Sequence, residues 1–499
     1  MHETRHLTRR GLLNAAGAVG AAGALVGVAA PSAAAAGAAF AHPGLLHTRT
    51  DLDRMAARVK AGAAPYTAGF AKLTANRHAQ SGWRANPQAT VYRGAGSPQN
   101  YAILYNDIHA AYQNALRHHV SGESAHADTA VAILNAWSAK LTSIAGSADR
   151  FLAAGLYGYQ FANAAELVRD HPDFDLAGAK KVLREVFSPL SESFLSRHNG
   201  AVITNYWPNW DLTAMACVLA TGIFCDDRAK VERVVKYFKN GAGLGSVRNA
   251  IPVVHDDGLA EWLEAGRDQG HALLGVGLMG TVCEMAWSQG IDLYGYDDSR
   301  FLKGAQYVAR WSLGGTVPYT ANTRKKGAVN GWSGSETASA AAGVDPGMIR
   351  PIWAMIANHY TKRRGLSATY LTRAAAKAAP EGGGGDYGPN SGGYDQLGFG
   401  TLAYTRDKAA DPTAAPTPAA TAKASTSGSG TRPRSAASPS PATGSGSGSG
   451  SGSGNDHDLA ATGSSDLLGW SAAAGVTAVA GGLLLLRRRD RGRRGSESS

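Results

Sequence analysis

Apolar residues recur every three to four positions through most of the stretch between residues 100 and 380. An α-helix repeats every 3.6 residues, so this spacing indicates helices with one apolar face. The connecting stretches carry Gly, Pro, Asp and Asn, and strand-like alternation is nearly absent. The pattern predicts an all-α fold. The predicted helices are 101–120, 127–141, 150–168, 177–195, 208–224, 228–238, 261–288, 299–311, 347–359 and 367–378.

Helices of similar length joined by short connections are typical of repeated helical hairpins. About ten of them close most economically as an (α/α) toroid, and no repeat is strict enough to predict a solenoid. We therefore assign residues 41–406 to one toroid domain. Residues 407–458 are rich in Pro, Ala, Ser and Gly and include a Gly-Ser repeat at 444–454. They predict a disordered linker with a reach of roughly 40 Å.

The first 40 residues have the composition of an export signal. Arg9 and Arg10 precede an Ala/Gly-rich apolar run that ends in the small residues Ala33 to Ala36. A twin arginine before a moderately apolar stretch is typical of a Tat signal peptide, so we expect export through the twin-arginine translocase. The alternatives are a disordered basic start or a membrane anchor.

The last 41 residues contain three elements in order. Residues 467–486 carry no charge and are long enough to form one transmembrane helix, and an arginine-rich tail follows them. Upstream stands a pentapeptide that resembles the LAxTG form of a sortase sorting signal, as in actinobacterial proteins. The resemblance implies cleavage after its threonine and attachment to the cell wall; a single-span membrane anchor is the alternative. The pentapeptide is Leu459, Ala460, Ala461, Thr462 and Gly463.

The formal net charge of +11 does not predict a nucleic-acid partner, because much of the excess lies in the two termini. The remaining positive charge suits an acidic ligand. Cys217, Cys225 and Cys283 lie in apolar helical stretches, which favours buried thiols, with a Cys217–Cys225 disulfide as the alternative. No cysteine or histidine spacing resembles a zinc site, and we expect neither a metal nor another cofactor.

Residues 261–271 (EWLEAGRDQGH) are the most informative segment. On the predicted helix, Glu264, Arg267 and His271 share one face, with Asp268 beside it. Apolar residues follow on every side, so the charges are not expected on a solvated surface. Burying charges is costly unless function requires them, although a buried ion pair that locks two hairpins is the structural alternative.

Residues 204–211 (TNYWPNWD) form the second candidate segment. Pro208 suits the first position of a helix, which leaves Asn205, Tyr206 and Trp207 in the preceding loop and Asn209 in the first turn. Free N–H groups at a helix start favour an anion, and the aromatic rings offer faces for sugar stacking. An aromatic corner packed in the core is the alternative.

Several stretches resemble the alginate lyase superfamily domain. They are 42–48 (HPGLLHT), the region from Asn205 to Tyr294, and within or beside it 224–228 (FCDDR), 267–271 (RDQGH) and 290–296 (GIDLYGY). The resemblance covers most of residues 42–406. It implies an (α/α) toroid, β-elimination of uronate-containing polysaccharide, and a periplasmic or extracellular location.

The resemblance also implies roles for individual residues. Arg267 with Asn205 or Asn209 would neutralise the uronate carboxylate, His271 would be the base, and Tyr206 a candidate acid. Glu264 would orient Arg267 or His271. The expected substrate-binding set is completed by Trp207, Trp210 and Gln269.

Two other functions fit the residues. An α/α-toroid glycoside hydrolase needs two carboxylates, which Glu261, Glu264 and Asp268 could supply. A surface carbohydrate-binding protein without activity is the third hypothesis, since residues 205–209 (NYWPN) stand where well-studied alginate lyases have Asn-Asn-His. The basic run 324–326 is expected to be a solvated surface, with a rim that gathers a polyanion as the alternative.

Overall fold

The computed structural model describes residues 39–94, 99–328, 333–384 and 394–409. The predicted signal peptide lies outside these ranges except for its last two residues. The predicted linker, apart from residues 407–409, and the whole sorting signal with its apolar span also lie outside them. Within the described ranges, no helix is both long and apolar enough to cross a bilayer.

The described part of the chain is dominated by helices. In chain order they are α1 Arg49–Lys60, α2 Tyr66–Ala75, α3 Tyr101–Ser121, α4 Ser124–Lys140, α5 Asp149–Leu167, α6 Leu176–Val182, α7 Ser188–Arg197, α8 Pro208–Phe224, α9 Arg228–Asn240, α10 Val247–Ala250, α11 Gln269–Ser288, α12 Tyr296–Ser312, α13 Trp353–Asn358, α14 Thr369–Ala378 and α15 Gly400–Tyr404.

Seven helices form a closed inner ring. Each one contacts the next in the order α1, α3, α5, α8, α11, α13, α15, and α15 returns to α1. Helices α4, α7, α9, α12 and α14 pack on the outside of this ring. Alternation between an inner and an outer helix is the arrangement of an (α/α) toroid. The predicted toroid is therefore confirmed for the described residues.

The composition of the helices explains which of them lie inside. Helix α8 is buried along its whole length, and α5 is buried from Phe151 to Leu167. A helix that is apolar on nearly every side must be covered by neighbours all round. Outer helices such as α9 instead carry one apolar stripe, which includes Val231, Val234 and Phe238. The almost fully buried helices α5, α8 and α11 thus form the part of the ring next to the site.

Two small sheets were not predicted. Strands β1 (Thr90–Arg93) and β2 (Ser143–Gly146) pair in parallel, and β3 (Asn322–Gly327) and β4 (Ser333–Ala338) form an antiparallel pair. The basic run 324–326 lies in β3, where Lys325 is exposed as expected of a solvated run, but Arg324 is not. Arg324 is buried, since its guanidinium bonds to the carbonyls of Thr204 and Asn205 and pairs with Glu336.

The helix predicted over residues 261–288 begins later than expected. Leu263–Gly266 form a short 3-10 turn, Asp268 has an extended backbone (φ −169°, ψ 163°), and α11 starts only at Gln269. The reason is local, because an aspartate at this position caps a helix by accepting a hydrogen bond from a free N–H group. Glu264, Arg267 and His271 therefore do not share one helix.

The three cysteines are buried thiols, and none of them forms a disulfide. Burial raises the pKa of Cys217 to about 12, so this thiol stays protonated and unreactive. The expectation of buried packing is confirmed over the alternative of a Cys217–Cys225 bridge.

Candidate functional site

A cavity of about 340 Å³ opens among the ring helices α5, α8 and α11 and strand β1. Its volume lies in the usual range for ligand pockets. Its wall combines apolar side chains with several charged and amide groups. The residues that line it are Arg93, Leu152, Leu156, Asn209, Asp268, Gln269, Gly270, His271, Leu274, Gly343, Asp345, Met348, Arg350 and Asp395.

Asp268 both caps helix α11 and orients His271. One carboxylate oxygen, Oδ1, accepts a hydrogen bond from the backbone N–H of His271 at 2.8 Å. The other, Oδ2, accepts one from Nδ1 of the same imidazole at 2.7 Å. The proton of a neutral imidazole is therefore on Nδ1, which leaves the lone pair on Nε2. The helix cap thus fixes both the position and the tautomer of the histidine.

Arg267 approaches the free nitrogen of this imidazole. Its Nη2 donates to Nε2 of His271 at 3.1 Å, and its Nη1 donates to Oε1 of Glu264 at 3.1 Å. Burial lowers the pKa of His271, and the positive charge of Arg267 lowers it further, while Asp268 opposes the shift. Burial alone would raise the pKa of Asp268, but its bonds to His271 and the charge of Arg267 bring it to about 2. The pair therefore consists of the neutral imidazole of His271 hydrogen-bonded to the ionised carboxylate of Asp268.

Glu264 is fully buried behind Arg267. Burial raises the pKa of its carboxyl group to about 8, although the charge of Arg267 acts in the opposite direction. Oε2 of this carboxyl group has no hydrogen-bond partner among the described residues. With Glu264 neutral, Asp268, whose Oδ2 is 3.4 Å from Nε of Arg267, is the ionised carboxylate beside this guanidinium.

Asn209 is the residue of the second segment that reaches the cavity. Its side chain is fully buried, and neither Oδ1 nor Nδ2 has a hydrogen-bond partner among the described residues. Buried amides are almost always hydrogen-bonded, so an unpartnered one in a cavity wall indicates a ligand-binding group. Gln269, also predicted, lines the cavity but exchanges hydrogen bonds with the backbone of Asp345 at 2.8 and 3.1 Å.

The other site residues that were predicted in segment 204–211 do not line the cavity. Asn205 accepts a hydrogen bond from the backbone of Gly327 at 2.9 Å, so its side chain fastens strand β3. The Tyr206 hydroxyl accepts one from Asn199 at 3.1 Å, and its ring packs on Trp210, with centroids 4.5 Å apart. This packing agrees with the aromatic-corner alternative for Tyr206 and Trp210.

Trp207 is 8% exposed and contacts cations rather than open space. The guanidinium of Arg324 lies 4.2 Å from the centre of its ring, and that of Arg267 lies 5.8 Å away. Cations over an indole are held by the electron-rich face of the ring. The face of Trp207 that was predicted to stack on a sugar thus lies against the guanidinium groups of Arg324 and Arg267.

Four charged residues of the cavity wall were missed by the sequence analysis, namely Arg93, Asp345, Arg350 and Asp395. Arg93 is the last residue of β1, and Arg350 and Asp395 form an ion pair at 3.0 Å. Each stands in a stretch without a local motif, and all four are far from His271 along the chain. Only the shared position at one cavity connects them. No local signal in the sequence could have identified them.

Residues 76–317 match the family model described as alginate lyase, and the match covers somewhat less than half of the chain. Among solved structures the chain is similar to an alginate lyase from Bacteroides ovatus, with 14% identity and a TM-score of 0.39 over 52% of this chain and 82% of that one. It is also similar to alginate lyase A1-III from Sphingomonas species A1, with 13% identity and a TM-score of 0.44 over 71% and 95%. No curated protein matches the chain.

The match of residues 76–317 to the alginate lyase model, together with a helical toroid that surrounds a cavity, supports a polysaccharide lyase as the class of this protein. Over those residues the chain is similar to the alginate lyase family.

Proposed function

We propose that this protein cleaves uronate-containing polysaccharide by β-elimination, with His271 as the base. The observation that carries the proposal is the Asp268–His271 couple, in which Nδ1 is held by the helix cap and Nε2 is left as the basic nitrogen of a cavity-lining imidazole. A base of this kind must be neutral before it accepts a proton. The lowered pKa of His271 keeps it neutral at physiological pH.

The substrate class follows from the charge beside that base. The carbon that loses its proton, C5 of the uronate, is next to a carboxylate and is therefore a weak acid. Negative charge that develops on the carboxylate during proton loss needs donors aimed at it. Arg267, which is hydrogen-bonded to the imidazole, and the unpartnered amide of Asn209 supply such donors.

The elimination balances as a proton transfer and a bond cleavage. Nε2 of His271 takes the C5 proton, the C5–H electron pair becomes the C4–C5 double bond, and the C4–O bond breaks. The leaving glycosidic oxygen then needs a proton. No tyrosine lines the described cavity wall. We therefore assign this proton to the imidazolium formed in the first step, rather than to Tyr206.

Binding of the carboxylate also releases the base. In the free protein, Nη2 of Arg267 donates a hydrogen bond to the lone pair of Nε2. A guanidinium prefers a carboxylate to a neutral nitrogen, because the carboxylate carries an opposite full charge and can accept two parallel N–H bonds. An arriving uronate therefore draws Arg267 to itself and leaves Nε2 free at the moment when a substrate is present.

The hydrolase alternative is less well supported. Glu261 and Glu264 are buried and do not line the cavity, and Glu261 accepts a hydrogen bond from the backbone of Thr320 at 2.6 Å. Asp268, Asp345 and Asp395 line it, but they are bonded to His271, to the backbone of Gly347 and to Arg350, respectively. A hydrolase needs two carboxyl groups on either side of the glycosidic bond.

The test is an ultraviolet assay on alginate, glucuronan, hyaluronan, chondroitin and heparin-type chains. A lyase product absorbs through its new C4–C5 double bond, whereas a hydrolase product does not. The substitution His271→Ala should abolish turnover and leave substrate binding measurable. His171→Ala is the matched control, because His171 pairs with Asp128 at the surface. Full activity in His271→Ala would refute the assignment of the base.

We also propose that the protein is exported by the twin-arginine translocase and joined to the cell wall by a sortase. The support is the order of sequence elements in residues 1–40 and 459–499. A Thr462→Ala variant should no longer become covalently attached to the wall. Unchanged attachment in that variant would exclude the sortase route.

A further inference from the structure

The two carboxyl oxygens of Glu264 have different surroundings. Oε1 accepts the hydrogen bond from Nη1 of Arg267 at 3.1 Å, whereas Oε2 is buried without a hydrogen-bond partner among the described residues. Oε2 faces an apolar part of α11, since a Cβ added at Gly275 would lie 3.4 Å from it and 2.7 Å from the ring of Trp262. Burying a charged oxygen without a donor is costly, so these surroundings favour the protonated carboxyl group. The pKa of about 8 agrees with this geometry.

Arg267 is the group that Glu264 restrains. Apart from its bond to Glu264, it donates to Nε2 of His271 at 3.1 Å, and its Nε lies 3.4 Å from Oδ2 of Asp268. In the proposed reaction the guanidinium must turn toward the carboxylate of the substrate. A neutral carboxyl group retains it by one hydrogen bond, whereas an ionised one adds the attraction of a full opposite charge in a buried site. The protonation state of Glu264 therefore sets how strongly Arg267 is held back.

The other charged and titratable groups near Glu264 keep their charge between neutral and moderately alkaline pH. They are Arg267 and Asp268 before α11, His271 in α11, Arg324 in β3, Tyr319 ahead of β3 and Arg248 in α10. The pKa of Asp268 is about 2, that of His271 is lowered from 6.5, and that of Tyr319 is raised to about 12. Arginines remain protonated. Within this set, Glu264 is therefore the group that changes its charge in that range.

We propose that Glu264 is a positioning residue that releases Arg267 to the substrate carboxylate when it is protonated and retains Arg267 when it is ionised. The inference rests on the proposed function and deepens it by describing how the same site is regulated. Two carboxylates would compete for one guanidinium, so a bound uronate should in turn favour the protonated form of Glu264. Substrate binding at alkaline pH should therefore be accompanied by proton uptake.

The alkaline side of the pH–rate profile tests this switch. We expect kcat/KM to fall about tenfold between pH 7 and pH 9, mainly through KM, as for one ionisation with a midpoint near the pKa of about 8. Glu264→Gln keeps an oxygen that accepts from Arg267 and cannot ionise. Its kcat/KM should be close to that of the wild type at pH 7 and should stay constant up to pH 9.

Glu381→Gln is the matched control. Glu381 is also a fully buried carboxyl group, and burial raises its pKa to about 7. Its Oε1 accepts hydrogen bonds from the backbone of Trp353 and Ala354 at 2.9 Å, and it does not line the cavity. This variant should keep the alkaline limb of the wild type. A wild-type profile without that limb, or the same limb in Glu264→Gln, would overturn the switch.

Binding measurements separate this inference from the lyase proposal. Calorimetry of alginate and glucuronan oligosaccharides with His271→Ala, at pH 7 and pH 9 and in buffers of different ionisation enthalpy, gives both the affinity and the proton uptake. Affinity should be about tenfold weaker at pH 9, with proton uptake, and both effects should vanish when Glu264→Gln is added. If Glu264→Gln does not fold, the proton uptake carries the test, because the described cavity wall contains no Lys, Cys or Tyr.

Each pattern of results has one meaning. If the wild-type protein cleaves no uronate chain but binding shows this pH dependence, the lyase proposal fails and the switch is supported. Cleavage combined with binding that is independent of pH would refute the switch and leave the lyase proposal intact. If the protein neither cleaves nor binds these chains, both proposals fail.

Discussion

At the scale of single residues, the decisive contact is the double role of Asp268. One oxygen caps α11 and the other accepts a hydrogen bond from the imidazole of His271. The contact that stabilises the start of the helix therefore also orients the base. Helix caps depend on residues close in sequence, and the sequence RDQGH already brings Arg267, Asp268 and His271 together. This explains why their proximity could be predicted even though the predicted helix began too early.

We expect Asp268→Asn to lower kcat by about 100-fold or more with little change in stability. Asparagine caps a helix about as well as aspartate, but it no longer stabilises an imidazolium and no longer fixes the proton on Nδ1. Steady-state kinetics and thermal unfolding of the variant measure the two effects. Asp227→Asn is the control, because Asp227 caps α9 in the same manner without lining the cavity. Equal kcat in the two variants would contradict the role of Asp268.

The pH dependence of the reaction follows from the lowered pKa of His271. The base acts in its neutral form, so the midpoint of the acid limb of kcat/KM should lie below pH 6.5, the ordinary pKa of a histidine. The same shift has a consequence for stability. The unfolded chain binds the proton more readily, so stability contributed by neutral His271 is present above pH 6.5 and is lost as the pH falls below it. A pH–rate profile with its acid limb above 6.5 would be inconsistent with this base.

At the scale of elements, the β3–β4 pair holds the loop before α8. Arg324 bonds to two carbonyls of that loop and lies over Trp207, whose ring also contacts Arg267. Strand β3 was not predicted, because a run of three basic residues has neither the alternation nor the apolar content of a strand. Pairing with β4 and the burial of Arg324 depend on partners distant in the chain. The helices of the ring, in contrast, carry their apolar pattern within themselves.

Arg324→Ala should lower the free energy of unfolding by about 2 kcal/mol, because hydrogen bonds from a charged group to buried acceptors are lost. It should also raise KM, since Trp207 and Arg267 lose a neighbour that fixes them. Chemical denaturation and steady-state kinetics provide the measurements. Lys325→Ala, one residue along the strand and exposed, should match the wild type. A stable, fully active Arg324→Ala would show that the strand pair does not support the site.

At the scale of the whole molecule, a buried ion network closes the ring. Glu284 of α11 binds Arg363 through two hydrogen bonds and lies 3.6 Å from Arg406, which in turn pairs with Asp51 of α1. The network therefore joins α11 to α1 through Arg406, which follows α15. The predicted domain boundaries at residues 41 and 406 remain predictions, although Ala409 still donates a hydrogen bond to the carbonyl of Lys362.

We expect Glu284→Gln to destabilise the fold by about 3–5 kcal/mol, because removal of one partner leaves a buried guanidinium uncompensated. The loss should appear as a lower denaturation midpoint in urea. Glu232→Gln, an exposed substitution on the outer helix α9, should leave the midpoint unchanged. If both variants unfold at the same urea concentration, the network does not hold the ring closed.

The sequence by itself determined the helical class, the order of most helices and the cluster around His271. These features arise from interactions between residues a few positions apart, whose geometry is set by the helical repeat and by capping. Tertiary structure alone decided which side chains share the cavity. It placed Arg93, Arg350 and Asp395 in the cavity wall. It placed Asn205, Tyr206 and Trp210 away from that wall, in contacts with strand β3 and with one another. Which distant residues meet depends on how all the ring helices pack together, and no local spacing encodes that fit.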